Sequence, residues 1–375
     1  ALSANGQWLA GYEYRKSITI PDANIIGGPH TDFPLLIDLS ADAEVIANAD
    51  HPNGYDIIFT DNDGLTLLDH EIVVYDATNY KAFVRVDLPD LSDKTIYVYY
   101  GNPTIGTDPS STDTYSGDFQ AIWHMEEEPQ SASVLDATQN SNTANPNNFG
   151  VASSVGGKIG QAISFNGASN HYLDVSNSSS INLNGNQFTI QAWINAPDNT
   201  TDNAIMAKGQ TDGNEQYMLG IGSAGSPDYV IHRSSINGIQ YNFTDGSITA
   251  GSWQHVVYVY DENYPILSRL RVYVNGILAN SQNSFGGNVD ASVYPLLIGK
   301  RLSSANYITG LLDELRITDV ARDINWIQTE FNNQNTPVGF VNYGGVEGPG
   351  PLPDVLATPA SEIICAGGTT NIAFS

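Results

Sequence analysis

Residues 188–194 read Phe188-Thr189-Ile190-Gln191-Ala192-Trp193-Ile194, with Phe188, Ile190, Ala192 and Ile194 alternating against Thr189, Gln191 and Trp193. A period of two sends successive side chains to opposite faces of a strand, so this stretch predicts a strand with one face in a core. The pattern extends in both directions. Ala82, Val84, Val86 and Leu88 alternate with Phe83, Arg85 and Asp87, and further strands are predicted at 14–20, 33–39, 57–60, 71–75, 95–100, 254–260, 270–274, 298–300 and 311–317. Asp61-Asn62-Asp63-Gly64 and Asn275-Gly276 are turn signals, the second a strong hairpin signal. One helix is predicted, with Ile324, Ile327 and Phe331 at i, i+3 and i+7 after a start near Asp319. Short strands between frequent turns predict an all-β chain. Its expected divisions are an N-terminal β-sandwich over 1–118, a second sandwich over 119–340, a Gly/Pro-rich linker over 341–359 and the opening strands of a third β domain over 360–375.

Composition narrows the function. The 375 residues carry 41 acidic and 14 basic side chains, a formal net charge of −27. Such a charge repels phosphate backbones and anionic headgroups, which argues against nucleic-acid and membrane-surface partners and leaves cations and neutral ligands such as glycans. No apolar stretch approaches the ~20 residues of a membrane span. A single cysteine, Cys365, excludes a disulfide scaffold and a cysteine-based zinc site. Abundant Tyr, Gly, Asn, Ser and Thr suit an exported protein. The chain opens Ala1-Leu2-Ser3-Ala4 without Met, so the expectation is an extracellular or cell-surface protein whose signal peptide has been removed.

No catalytic residue is identified. Glycoside hydrolysis needs two carboxylates roughly 5–10 Å apart, and no strand offers them on one face; Glu126-Glu127-Glu128 is a consecutive run whose neighbours point to opposite faces. There is no G-x-S-x-G elbow and no phosphate loop. The expectation is a non-enzyme. Hard-cation chemistry has three candidate places. Asp61-Asn62-Asp63-Gly64 starts like a calcium loop, but Ile72 stands where position 12 needs Glu. Asp136 to Asn142 is a loop rich in side-chain and carbonyl oxygens. Asp313 shares a face with Leu311, Leu315 and Ile317 by strand parity, and a carboxylate among apolar neighbours must be paired, hydrogen-bonded or metal-bound. Trp193, Tyr258 and Tyr260 are read as packing rather than sugar-stacking residues. The ligand-binding residues are not legible.

Two resemblances rest on ordered blocks of text. Residues 8–118 resemble the DUF2341 domain of secreted bacterial and archaeal proteins through 8–16 (WLAGYEYRK), 56–64 (DIIFTDNDG) and 96–103 (IYVYYGNP). Residues 119–340 resemble a laminin-G-like, concanavalin A-like jelly roll through 121–126 (AIWHME), 162–167 (AISFNG), 188–194, 251–256 (GSWQHV), 273–276 (YVNG) and 312–317 (LDELRI). The tail at 365–372 (CAGGTTNI) resembles the start of immunoglobulin- or PKD-like repeats in large adhesins of gliding bacteria with type 9 secretion. The second resemblance implies one structural Ca²⁺ held by Asp136, Asn142 and Asp313. Together they imply the N-terminal tip of a longer surface adhesin that binds glycans or surfaces through its jelly roll, with secretion machinery and outer-membrane anchoring proteins as further partners. The alternatives are the carbohydrate-binding portion of a polysaccharide-degrading enzyme and a purely structural filament cap.

Overall fold

The computed structural model describes residues 8–197, 203–210, 214–222, 228–302 and 307–349. The tail strands expected after 359 lie outside the described residues. The N-terminal region contains β1 (Tyr14–Ile20), β2 (His30–Asp38), α1 (Ala43–Asn48), β3 (Ile58–Thr60), β4 (Leu67–Leu68), β5 (His70–Tyr75), β6 (Tyr80–Leu88) and β7 (Lys94–Tyr100). The second region runs from β8 (Phe119–Trp123) through β9 (Ala144–Asn147), β10 (Ser154–Gly156), β11 (Gln161–Phe165), β12 (Tyr172–Val175) and β13 (Gln187–Asn195). It continues with β14 (Asn203–Gly209), β15 (Glu215–Gly222), β16 (Asp228–Ile236), β17 (Ile239–Ile248) and β18 (Gln254–Asp261). The last strands are β19 (Leu270–Val274), β20 (Ile277–Gln282), β21 (Leu296–Ile298) and β22 (Gly310–Thr318), followed by α2 (Ile324–Asn335), α3 (Pro337–Phe340) and β23 (Asn342–Glu347). No described helix is long and apolar enough to cross a membrane.

The second region is a two-sheet jelly roll. Seven strands are ordered β17-β16-β15-β14-β21-β12-β9, and eight contain β10-β11-β22-β13-β18-β19-β20 with β8 also on β22. The predicted alternation decides the layering: Phe188, Ile190, Ala192 and Ile194 enter the shared core together with Tyr258 and Tyr260, while Trp193 lies on the outer face. The Asn275-Gly276 turn has both residues at positive φ, 52° and 75°, as a tight hairpin requires. The Asp61-Asn62-Asp63-Gly64 stretch is a turn too, with Asp63 Oδ1 accepting from the amides of Leu65 and Thr66.

The N-terminal region packs a three-stranded sheet, β2-β6-β5, against a five-stranded one, β23-β1-β7-β3-β4. The outermost strand of the latter corrects the expected linker. Residues 342–347 pair antiparallel with β1, Lys16 opposite Val346 and Thr19 opposite Asn342, so the chain returns to complete the sandwich in which it began. Gly344 is the reason composition misleads here. A Cβ on it would stand 2.2 Å from Ser17 Oγ, so this glycine permits close backbone approach within a sheet rather than marking a flexible joint. The boundary expected at 118 is likewise a shared strand: Ala121 and Trp123 of β8 enter the jelly-roll core and Ile122 the N-terminal one. Trp326, Phe340 and Val341 also belong to the N-terminal core.

Helix α2 starts at Ile324, five residues beyond the expected Asp319. Asp323 caps it, its Oδ1 accepting from Trp326 N at 2.8 Å. The helix is bound on both sides. Asn333 donates to Leu36 O and accepts from Leu36 N, and Thr329 Oγ1 accepts from Ile26 N. On the jelly-roll side, Gln191 donates to Glu330 and Trp193 Nε1 to Gln334.

Candidate functional site

The two outer faces of the jelly roll differ, and the difference begins with a bulge. Gln191 pairs with Arg316 and Trp193 with Asp313, leaving one extra residue on β22, and Glu314 takes a φ of 50°. Leu312, Leu315 and Ile317 therefore face the core. The parity argument that grouped Asp313 with Leu315 and Ile317 is overturned, because the bulge inverts the alternation between them. Asp313 joins Trp193 on the outer face and is fully buried there.

Beside it runs a buried charge network. Arg316 donates to Glu314 at 2.7 Å and to Glu330 at 2.9 Å, with all three side chains at most 1% exposed. His124 bridges Glu314, at 2.6 Å, and Glu71 of the N-terminal region, at 3.1 Å. Burial alone would lower the His124 pKa, but the two carboxylates hold it well above the usual imidazole value. A cleft of about 310 Å³ opens beside this junction, lined by Glu71, His124, Glu126, Glu127 and Asp136 among others. Since Glu71 and His124 bind each other across it, its chemistry is that of a clamp between the regions.

The expected calcium ligands do not converge as one shell. Asp136 closes its own loop, Oδ1 accepting from Ile122 N and Thr138 N and Oδ2 from Asn142 N. Asn142 donates to Gln120 O and accepts from Ser178. These lone pairs are aimed at N–H and O–H donors, which leaves them poorly placed for a cation. Among the described residues no three His, Cys, Asp or Glu side chains group as a metal site. Asp313 stands apart from that loop, Oδ2 accepting from the amides of Lys158 and Ile159. Its Oδ1 is buried with no partner. Glu126 lies near enough to raise the Asp313 pKa, after the larger effects of burial and Glu314, and is itself pushed up to about 7, chiefly by burial. Glu126 Oε1 accepts from Gln161 N, and a Cβ on Gly160 would stand 2.0 Å from it. Asp313, fully buried with an orphaned oxygen, and Glu126, partly buried at the cleft, offer oxygen donors of the kind a hard cation takes. Asp313 and Glu126 are the side chains that would hold it.

The seven-stranded sheet offers a different outer face. Cross-strand partners run in one unbroken row, Asn145–Asp174–Leu297–Ala207–Met218–Arg233–Asn242, one residue from each strand. Leu297, Ala207 and Met218 at its centre are buried, whereas Asn145 and Asn242 at its ends are exposed. Tyr172, two residues before Asp174, faces the same way. The Lys300 ammonium sits 4.8 Å from the Tyr172 ring and 4.7 Å from that of Tyr307, and the two rings are 6.1 Å apart. Burial raises the Asp174 pKa. Among the described residues, no hydrogen bond or ion pair joins a helix to this face. Sequence reasoning missed all of these residues. The available signal was Arg233 at an alternating position of a strand, in a chain with few cations.

Residues 53–128 match the family described as domain of unknown function DUF2341, and residues 166–328 match Laminin_G_3 of the concanavalin A-like lectin/glucanases superfamily. Both fall in the expected order, the first running ten residues past the expected boundary of 118. No curated protein matches the chain. Among solved structures, domain 4 of an extracellular GH43 arabinanase from Geobacillus stearothermophilus, in complex with arabinotriose, is 18% identical with a TM-score of 0.43, over 57% of this chain and 98% of that one. The binding domain of Paraclostridial Mosquitocidal Protein 1 is 17% identical with a TM-score of 0.45, over 58% and 52%. A botulinum neurotoxin type C structure, whose cell entry depends on two ganglioside molecules, is 13% identical with a TM-score of 0.42, over 58% and 51%. The chain spans about half the length of the two toxin chains.

Proposed function

From a chain that carries a DUF2341 region followed by a concanavalin A-like domain, we propose a non-catalytic glycan-binding unit of a secreted surface adhesin, with the outer face of the seven-stranded sheet as the contact surface. The observation that carries this reading is the exposed β9–β12 end of the row, where Asn145 meets the Tyr172/Tyr307/Lys300 flank. Sugar rings present apolar C–H faces that stack on aromatic rings and hydroxyls that bond to amides, and this flank sets two tyrosines beside Asn145 and Asn147. Attachment to the cell surface, export by the type 9 route and anchoring by outer-membrane proteins belong to the same reading and rest on the family resemblance. So does a structural Ca²⁺, for which we propose Asp313 and Glu126 as ligands; the unpartnered Asp313 oxygen supports it.

The absence of catalysis is supported by what holds the carboxylates. Asp313 and Glu126, both with raised pKa values, are bound to backbone amides beneath the 157–161 loop, and Asp174, also raised, is the one carboxylate in the row, without a second beside it in register. The test is a panel of immobilised polysaccharides. We expect retention of the chain without release of reducing ends, and weakened retention for a Tyr172→Ala/Tyr307→Ala double variant. Reducing-end release that a single carboxylate substitution abolishes would sink the non-catalytic reading, and retention unchanged in the double variant would sink the assignment of this face.

A further inference from the structure

The β16–β17 end of the same row carries an arginine in an unusual state. Several cations of this acidic chain are held in close ion pairs, such as Arg15–Glu347, Arg85–Asp32 and Lys94–Asp61, each at 2.7 Å. Arg233 is not. The carboxylate nearest to it, Glu215, lies 3.6 Å away and is engaged by Arg301 at 2.7 Å. The Arg233 Nε is buried without a hydrogen-bond partner. Beside the guanidinium lies a groove of about 310 Å³ lined by Ile231, Arg233, Asn242, Phe243, Thr244 and Gln282. The groove wraps the edge of the sheet: Arg233 is opposite Asn242 and Ile231 opposite Thr244 on the outer face of the edge strand β17, while Phe243 faces the core and Gln282 comes from β20. Asn242 and Thr244 are exposed.

Resting on the glycan-binding reading above, we propose that this groove receives an anionic sugar unit, the Arg233 guanidinium taking its oxyanion and Asn242 and Thr244 its hydroxyls. A buried guanidinium N–H without an acceptor is costly to maintain, and the planar fork of arginine matches a carboxylate or sulfate with two parallel N–H···O bonds. Glu215 cannot supply those bonds, being committed to Arg301. The net charge of −27 opposes an anionic ligand at long range, but at 0.15 M salt exposed charges are screened beyond about 8 Å. The groups lining the groove therefore decide. Two sources share the chemistry, a uronate carboxylate and a sulfate ester.

The experiment measures affinity of the whole chain, at 0.15 M salt, for a uronate oligosaccharide, a sulfated one and a neutral one, with Arg233→Gln and Arg233→Lys as variants and melting curves as the folding control. We expect at least one acidic ligand to bind more tightly than the neutral one. Arg233→Gln should weaken that ligand about ten- to a hundredfold, the worth of a charge-assisted pair, and weaken a neutral ligand far less. Arg233→Lys should retain part of the affinity, since charge remains and the fork is lost. Which acidic arm responds tells carboxylate from sulfate. Acidic-ligand affinity unaffected by Arg233→Gln in a folded variant overturns the inference. Binding of neutral ligands alone overturns it while leaving the glycan-binding reading intact, and binding of none overturns both.

Discussion

The two outer faces of the jelly roll come from the same fold and have opposite fates. The eight-stranded sheet turns Trp193, Asp313 and Arg316 outward into full burial beneath α2 and against the N-terminal sandwich. The seven-stranded sheet keeps an apolar centre but ends in exposed amides, two tyrosines and cations without close carboxylates. One face is thus an internal interface and the other remains available to a ligand. The N-terminal sandwich, with β23 returning to it, makes the first face structural; a jelly roll isolated from it would expose that charge network.

The largest test of this contrast is Arg316→Ala. It leaves Glu330 as an uncompensated buried charge and Glu314 with His124 as its remaining cationic partner, and breaking a buried pair costs about 3–5 kcal/mol. We expect a melting transition lowered by ten degrees or more, or no soluble protein, whereas Arg316→Met recovers part of the loss because packing is kept. An unchanged melting curve for Arg316→Ala would break the distinction between the faces.

Acid sharpens it next. His255 packs on Trp193 and Phe331 beneath α2, and its pKa is lowered to about 3, first by burial and then by Arg316. A histidine depressed in the folded state contributes stability that is complete above its unfolded value of ~6.5 and is lost as pH falls from there toward 3. The melting temperature should therefore decline below pH 6.5, and His255→Gln should flatten that decline. His124 has the opposite sign. Raised in the folded state, it contributes stability that is complete below the unfolded value of ~6.5 and is lost as pH rises from there through its higher folded value.

Calcium is a smaller lever on the covered face. An ion bound only to the folded state adds RT ln(1 + [L]/Kd), about 2.7 kcal/mol at a hundredfold excess over Kd. Chelation should lower the melting temperature accordingly, and Asp313→Asn should abolish the response while Asp136→Asn preserves it. Loss of the response in Asp136→Asn alone would restore the ligand set expected from sequence.

Period-two patterning made the N-terminal sandwich legible nearly strand by strand, but in the jelly roll it marked β13, β18, β19, β22 and the end of β21 and left β14 to β17 unread. It failed where a local event inverts the pattern. The left-handed Glu314 turns Asp313 away from Leu315, and nothing in Leu312-Asp313-Glu314-Leu315 announces a bulge. Gly344-Gly345 looked like a linker because sequence does not show that Ser17, more than three hundred positions away, needs the space. The ligand face was illegible for a related reason: Asn145, Tyr172, Met218 and Arg233 are ordinary strand residues until register sets them in one row. Trp193, by contrast, was read correctly as packing.

The smallest expected effect lies on the seven-stranded sheet. Tyr172 contributes to stability mainly through its contact with Lys300, and a cation–π pair at an accessible site is worth about 0.5–1 kcal/mol. Its other neighbours are the Tyr307 ring, 6.1 Å away and itself only half-buried, and the polar Asn145 and Asn147 on the edge strand β9, so truncation opens no core cavity of the kind that makes a buried aromatic cost about 3–5 kcal/mol. Tyr172→Ala should therefore shift the melting temperature by only a few degrees, while Trp193→Ala, an aromatic on the opposite face of the same jelly roll, should shift it several times further. Glycan retention should respond in the reverse order among variants that fold. If Tyr172→Ala destabilises as strongly as Trp193→Ala, the tyrosine is part of the scaffold, and the two faces of the jelly roll are alike in the one respect that makes the seven-stranded sheet a candidate surface.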